Sequence, residues 1–412
     1  MAKSEAQKVV DGIKKQFGDS SFRLASDPSL RVERVLTQSI GLNLATEGGF
    51  PRGKIVFIAG NPATGKSSFI YNEIASYQRL LGLPCVLIDS EASSDEERLK
   101  TFGVDPSNLI VENPPTLEEG LDKALYLVRE CELGILAVDS IAMMSPTRES
   151  ESGKGKTKSL LDDDVAIKAR IMNKFFRRLA ASLNYACNQG RKPPTIILVQ
   201  QWYVSKIGLY PERDFSGGAG QKYISHLTID FRHPAKNDGG ADLIERVEID
   251  EDGIVHEEDI KVGVRVNFEL IKSKISPDKR KGLFFILTQP SKDGLAPPGI
   301  NKVDECIRYG VKYKVIEQNG NWLSYQDLKT NGRDSFELHL WQKPDLVEKI
   351  EHEIYVAAGI LPESLLTSPE KEPKSGRKKR TSILDSSGTT EQPIEVVAVA
   401  GCDGDTTTEL LV

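Results

Sequence analysis

The stretch Gly60-Asn61-Pro62-Ala63-Thr64-Gly65-Lys66-Ser67 has the G-x-x-x-x-G-K-S spacing of a loop that cradles phosphates. Two glycines let the backbone curl so that successive N–H groups point inward, and the start of a helix at Lys66-Ser67-Ser68 adds partial positive charge. Lys66 can then reach the β- and γ-phosphates, and the Ser67 hydroxyl is placed to ligate Mg²⁺. Two apolar runs that end in acids supply the rest of a hydrolytic site. Ile135-Leu136-Ala137-Val138 ends in Asp139, which would hold Mg²⁺ through its water shell. Cys85-Val86-Leu87-Ile88 ends in Asp89-Ser90-Glu91. Glu91, expected to end the strand beside the loop strand, is the candidate that takes a proton from the attacking water. A solvated or capping glutamate is the plainer alternative.

A second chemistry is legible further on. Residues 142–170 lack a hydrophobic period and carry Lys154, Lys156 and Lys158 among glycines and serines. Residues 202–222 are similar, with Gly208, Gly217, Gly218 and Gly220. Two long loops on one rim of a compact domain are usually functional. Lys206, Arg213 and Lys222 are interleaved with Trp202, Tyr203, Tyr210 and Phe215. That mixture suits single-stranded nucleic acid, which needs both phosphate neutralisation and stacking surfaces. An active-site lid with exposed charges fits the same residues. Lys272, Lys274, Lys279, Arg280 and Lys281 form a further basic cluster, fit for phosphate of either kind or for a solvated strand end.

These groups need elements to position them. Ile55–Ala59 is an apolar run of strand length before the loop, and Phe69, Ile70, Ile74, Tyr77 and Leu81 recur at helical steps after it. Further strands are expected at 85–88, 109–111, 135–138 and 195–199, the last ending in Gln200-Gln201. A capping box, Thr116-Leu117-Glu118-Glu119, opens a helix to about Cys131, and Ile167, Ile171, Phe175, Leu179 and Leu183 mark a long one over 165–186. This alternation predicts an α/β fold with a mostly parallel sheet covered by helices. Ligands of such sheets sit at the carboxyl ends of the strands, where the loop, Glu91, Asp139 and Gln201 all fall. Strands at 227–231, 264–271 and 283–287 read as an antiparallel extension, with the acidic segment 237–260 as an exposed insertion. A helix over 301–309, a hairpin turning at Asn319-Gly320 between strands 313–317 and 322–325, and a helix over 344–358 make a small α+β C-terminal domain. Ahead of the core, Val9, Val10, Ile13 and Phe17 line one face of a short N-terminal helix, which can dock on a neighbouring subunit or on its own domain. The expected divisions are 1–35, N-terminal helix and linker; 36–289, the core; 290–362, the C-terminal domain; and 363–412, a polar, disordered tail.

The bulk numbers set limits. The chain has 412 residues, 28% charged and 39% hydrophobic, in the normal range for a globular protein. No apolar run approaches the roughly 20 residues of a membrane span, and the first residues lack the apolar core of a secretory signal. Cysteines 85, 131, 187, 306 and 402 lack metal-ligand spacing and suit a reducing compartment. A net charge of −6 argues against wholesale electrostatic binding to nucleic acid and leaves room for a local basic surface.

Taken in order, these residues resemble the RecA family of DNA recombinases, bacterial RecA and its phage UvsX-type relatives, from about Gln7 to Tyr325. The resemblance is carried by Lys14-Lys15-Gln16-Phe17-Gly18, the phosphate loop, Ile88-Asp89-Ser90-Glu91, Phe102-Gly103-Val104-Asp105 and Val138-Asp139-Ser140-Ile141-Ala142. It continues through Ala169-Arg170-Ile171-Met172, Arg177-Arg178-Leu179, Lys206-Ile207-Gly208, Gly217-Gly218 and Ile271-Lys272-Ser273-Lys274-Ile275. It implies a RecA-like core and a DNA-dependent ATPase, using ATP and Mg²⁺, that polymerises into a helical filament on single-stranded DNA and exchanges strands with homologous duplex DNA. It further implies that Glu91 activates water, Asp95 contacts adenine, and Gln201 senses the γ-phosphate. Lys272 and Lys274 would reach the neighbour's nucleotide. Arg170, Arg177, Lys206, Arg213, Gly217 and Gly218 would meet DNA, and Phe17 and Tyr223 would lie at the filament interface. A single-strand-binding protein and loader proteins are the implied partners, and the cytoplasm of a bacterial or phage-infected cell the implied place. The competing readings are a hexameric helicase on the same core and a non-catalytic ATP-binding regulator. The paired lysines and leading helix weigh against the first, and an intact Glu91 against the second.

Overall fold

The chain's computed structural model describes residues 3–18, 22–27, 30–147, 151–152, 156–157, 165–206, 212–215, 220–235, 240–251, 254–291, 294–360 and 365–366. At its centre are short apolar strands buried on both faces. Ile55–Gly60, Cys85–Asp89, Ile135–Asp139 and Thr195–Gln200 are buried at every residue. Their side chains alternate between two cores, as the two-residue period of a strand requires. Val56, Ile58, Cys85, Leu87, Ile135, Ala137, Ile197 and Val199 enter one core, together with Phe69, Ile70, Ile74 and Tyr77 of the helix Lys66–Leu81. Ile55, Phe57, Val86, Ile88, Leu136, Val138, Ile196 and Leu198 enter the other, under the helices Leu117–Glu130 and Val165–Asn188. Near-continuous apolar strands with helices on both faces are what a buried parallel sheet demands.

In space the parallel strands run Leu227–Arg232, Ile55–Gly60, Thr195–Gln200, Ile135–Asp139, Cys85–Asp89, Leu109–Glu112. Two expectations change. Leu227–Arg232 does not start the antiparallel extension: it pairs in parallel with the loop strand, Phe231 beside Gly60. The crossover from Thr195–Gln200 returns the chain to the amino rim through the short helix Gly220–Ile224, so the next strand must run the same way. Nor does Glu91 end the loop strand's neighbour, because Thr195–Gln200 and Ile135–Asp139 stand between. The antiparallel part begins at Ile254–Ser273, followed by Lys281–Leu287 and Gly299–Ile300. The expected insertion at 237–260 is a hairpin, Asp242–Glu251 against the first half of Ile254–Ser273. The acids there outnumber the β-branched residues Ile244, Val247, Ile249, Val255 and Ile260, which favour strands.

The third core belongs to the C-terminal helices Lys302–Lys312, Arg333–Trp341 and Pro344–Ala357, and it also takes in Ile40. Glu305 makes the join. Its carboxylate accepts from Ser39 Oγ at 2.8 Å and from the N–H groups of Ile40 and Gly41 at 3.0 Å, capping the helix Ile40–Thr46. The expected strand over 313–317 is cut to Glu317–Asn319, because Lys314 at φ 61° turns the chain after its helix. Asn319 pairs with Trp322, so the hairpin turns at Gly320-Asn321, one residue later than expected, and Leu328–Asn331 adds a third strand. Leu365 and Leu366, expected in the tail, pair in parallel with Arg34 and Val35. The rest of that tail lies outside the described residues.

One buried acid has a measurable consequence. Glu73, on the helix after the loop, is fully buried. Its Oε1 accepts from the Gln38 N–H at 2.9 Å, and its Oε2 has no hydrogen-bond partner. Burial pushes its carboxyl up to about 8, against the pull of Gln38, Lys302 and Arg79 and with a push from Glu305. The unfolded chain releases this proton near pH 4.3 and the folded chain holds it to about 8, so the group subtracts stability as pH rises across that window. Glu73→Gln keeps an acceptor for Gln38 and removes the titration. Its denaturant midpoint is expected to fall less than the parent's between pH 5 and pH 9. Parallel curves for the two proteins would contradict the burial account.

Candidate active site

The loop closes on itself. Thr64 Oγ1 donates to the Asn61 carbonyl at 2.9 Å, and Lys66 Nζ donates to the carbonyls of Gly60 at 3.2 Å and Asn61 at 2.7 Å. A Cβ on Gly60 would lie 2.6 Å from the Phe231 carbonyl oxygen, so the loop strand ends in a place only glycine fits. Gly65 begins the helix at φ 79°, in the left-handed region that glycine enters without a Cβ penalty.

Around the loop lies a cleft of about 310 Å³, lined by Pro62, Ala63, Gly65, Lys66, Ser67, Ser68, Glu91, Asp139 and Gln201 among others. Asp139 is 5% exposed at the end of its strand. Burial first, then the charges of Glu91 and Asp89, push its carboxyl up to about 6, against the Ser67 hydroxyl that donates to it and the Lys66 cation. Burial pulls the Lys66 ammonium below its usual value, and Asp139, Glu91 and Asp230 hold it up. The cleft thus gathers the Lys66 cation, the carboxylates of Glu91 and Asp139 and the Ser67 hydroxyl at the head of a helix. That donor set fits a phosphate chain with a hard, oxygen-seeking cation. Among the described residues no cluster of three or more His, Cys, Asp or Glu side chains forms a metal cage of its own.

Glu91 reaches the cleft from three strands along because Asp89 turns the chain. The Asp89 carboxylate accepts from the N–H groups of Glu91 at 3.0 Å, Ser93 at 2.8 Å and Ser94 at 2.7 Å. Ser140 Oγ donates to Glu91 Oε1 at 3.2 Å, and Ser90 Oγ donates to the Ser140 carbonyl at 2.8 Å. Asp89 therefore positions Glu91, a role whose only sequence signal is an acid at a strand end before Ser-Glu. Arg98, Lys261, Val264 and Thr288 also line the cleft. Sequence reasoning did not assign them, since 261–288 arrive from strands far downstream. Asp95, expected beside a base, accepts from the Arg98 N–H at 3.1 Å and caps the helix Glu96–Thr101. Asp95 is not among the lining residues.

Other expected residues stand apart. Lys272 pairs with Thr228, and the Lys274 N–H bonds the His226 carbonyl. Both lie at the amino rim, the far edge from the loop, where their Nζ atoms donate to the Tyr223 carbonyl at 3.3 and 2.8 Å. Tyr223 is 79% exposed. Arg170 and Arg177 are exposed on the helix Val165–Asn188. Lys206 and Arg213 lie on a hairpin, Trp202–Lys206 against Glu212–Phe215, that follows Gln201 directly. Gly217 and Gly218 lie outside the described residues. Phe17 is 69% exposed, and the helix Glu5–Phe17 that carries it has no buried residue.

Comparison with known proteins matches the sequence to a family. The RecA N-terminal domain matches residues 4–289 and the RecA C-terminal domain residues 304–359. A protein named Protein RecA from Clavibacter michiganensis is 31% identical over 355 residues, 85% of this chain and 87% of that relative. One of the same name from Nitratiruptor is 29% identical over 88% of this chain and 96% of its own. A third, from Rhizobium leguminosarum bv. viciae, is 28% identical over 91% and 98%. With both of its domains matched and end-to-end relatives at this similarity, the chain belongs to the RecA family and is a recombinase of RecA type.

Proposed function

We propose that this chain is an ATP-dependent recombinase that assembles as a helical filament on single-stranded DNA, hydrolyses ATP there, and exchanges strands with homologous duplex DNA. The observation that carries the reading is the separation of two parts of one site. The loop, Ser67, Asp139 and Glu91 occupy the carboxyl rim, while Lys272 and Lys274 occupy the amino rim. The level of Gly60 lies three to five residues further along the neighbouring strand, about 10–17 Å at roughly 3.3 Å per residue. A lysine cannot bridge that span to its own phosphate site, which supports the reading that the pair serves the loop of a second copy stacked head to tail.

In this mechanism the inward N–H groups of 60–68 and the head of the helix hold the phosphate chain. Lys66 neutralises its terminal oxygens. Glu91, held by Asp89 and Ser140, takes the proton of the attacking water. The neighbour's Lys272 and Lys274 stabilise charge that develops on the γ-phosphate. Ser67 and Asp139 would hold Mg²⁺, which when bound would neutralise part of the phosphate charge. Gln201 lines the cleft and leads straight into the hairpin of Lys206 and Arg213, so it would pass the nucleotide state to the DNA-facing loops with Gly217 and Gly218. Arg170 and Arg177 would add backbone contacts, and Asp95 would act near the base through the helix it caps. The unburied helix with Phe17 would dock on the adjacent copy, beside Tyr223. Units 1–35, 36–289, 290–362 and 363–412 would then be the assembly helix with its linker, the catalytic core, the small C-terminal domain and the tail. A single-strand-binding protein and loaders would be its partners, in the cytoplasm of a bacterial or phage-infected cell.

Electron microscopy with single-stranded DNA and a slowly hydrolysed ATP analogue tests the reading. Helical filaments are expected, with ATP turnover that requires the DNA. Closed rings, or DNA-independent turnover by single subunits, would contradict it.

A further inference from the structure

The hairpin at 242–261 extends from the core beside the nucleotide cleft. Its base is packed: Leu243 and Ile260 lie against Val262 and Leu287, and Lys261 lines the nucleotide cleft. Beyond Gly263, where the pairing with Lys281–Leu287 ends, the described ladder consists of Asp242–Glu251 and Ile254–Lys261 alone. Those eight residues span about 25 Å. The register shows which way they point. Asn267 pairs with Arg232 at the carboxyl end of its strand, so residues before 267 run out past the rim that holds the phosphate loop.

Two features leave this arm marginal as a free ribbon. A two-stranded ribbon is marginal by itself. Its charge is also one-sided. Residues 242–261 hold nine acids, Asp242, Glu245, Glu248, Asp250, Glu251, Asp252, Glu257, Glu258 and Asp259, against Arg246 and Lys261. Glu248 pairs directly opposite Glu257 in the register, and like charges placed so destabilise a ribbon.

The opposite rim has the complementary charge. Lys54, Lys272, Lys274, Lys279, Arg280 and Lys281 gather where the parallel strands begin and at the turn after Ser273. Lys279 is exposed, Lys281 meets Glu269 at 3.4 Å, and Arg280 meets Glu47 at 2.8 Å. The field of that rim is felt at His226, whose imidazole is pushed down to about 4 by burial and by Lys54, Lys274 and Lys272.

We propose that the 242–261 arm is an assembly element that docks on the basic amino rim of the next copy of this chain. The inference rests on the head-to-tail stacking described above, and continues it: the arm leaves the same rim as the phosphate loop and meets the same rim as Lys272 and Lys274. One acidic end against one basic end gives a heterologous contact that repeats along an open assembly. Opposite potentials set partner choice and encounter rate more than final affinity. Arm and lysine pair together then bracket each nucleotide cleft, with Lys261 at the base of the arm.

Charge reversal tests this without touching the residues of the hydrolytic site. Glu248→Lys/Glu257→Lys/Glu258→Lys reverses the arm, and Lys279→Glu/Lys281→Glu reverses the rim. Assembly is followed by sedimentation with the slowly hydrolysed ATP analogue in moderate salt, and nucleotide binding by titration. Each reversal alone is expected to raise the protein concentration needed for assembly about tenfold or more, with nucleotide binding kept. The chain carrying both reversals is expected to assemble within about threefold of the parent's concentration, which also shows that each set of changes folds. An arm-reversed protein that assembles like the parent would overturn the proposal, as would a doubly reversed chain no better than either single reversal. A parent chain that never assembles would instead overturn the filament itself.

Discussion

Glu91→Gln is expected to slow ATP turnover by about 10²–10⁴-fold while nucleotide and DNA binding stay near the parent's values. The substitution keeps the shape and the acceptor that Ser140 Oγ addresses at 3.2 Å. It removes the one carboxylate of the cleft that is exposed at its mouth. Asp139 cannot replace it, since it is buried at the strand end and receives the Ser67 hydroxyl. Turnover and binding must be measured together. If nucleotide affinity fell as far as turnover did, Glu91 would be a binding residue and the proton acceptor would have to be sought elsewhere.

Lys272→Ala/Lys274→Ala is expected to be about as damaging to DNA-dependent turnover, by 10³-fold or more, on the scale of the cation that other nucleotide hydrolases receive from a partner. The effect should appear only in assemblies. Each subunit's own loop, with Lys66 and Asp139, lies at the opposite rim and keeps its geometry, so nucleotide binding by isolated subunits should change little. Both lysines donate to the Tyr223 carbonyl in the single chain. That places them beside an exposed aromatic on a surface fit to meet a neighbour, and in this arrangement the short helix Gly220–Ile224 joins the lysine pair to the loop after Gln201. A loss of nucleotide affinity in the isolated double variant would mean that the lysines act within one subunit.

The carboxyl rim was readable because its parts obey local rules. The phosphate loop is contiguous, and Asp139 and Gln201 follow strands whose apolar runs need no partner information to be seen. Glu91 was assigned for a reason that failed. It was placed beside the loop strand, yet it is three strands along and arrives by the turn that Asp89 builds. Strand order is a long-range property, and no window of sequence contains it. The same limit hid Arg98, Lys261 and Thr288, which meet the cleft only once distant strands are in register. The segment 237–260 was read only as an exposed acidic insertion because its acids outweigh its β-branched residues in composition. The helix Arg333–Trp341 was missed because it is only nine residues long and begins after Gly332 with no side-chain cap.

In the proposed filament each hydrolytic site is shared between two copies, and one mixing experiment tests this. Lys66→Ala subunits keep a sound lysine pair and lose the loop cation. Lys272→Ala/Lys274→Ala subunits keep a sound loop and lose the pair. Neither alone should hydrolyse ATP on single-stranded DNA. In a mixture, some interfaces would set an intact loop against an intact pair, and partial DNA-dependent turnover is predicted to return, peaking near equal proportions. A mixture that stays inactive at every ratio, while both variants bind DNA and co-assemble, would contradict the account.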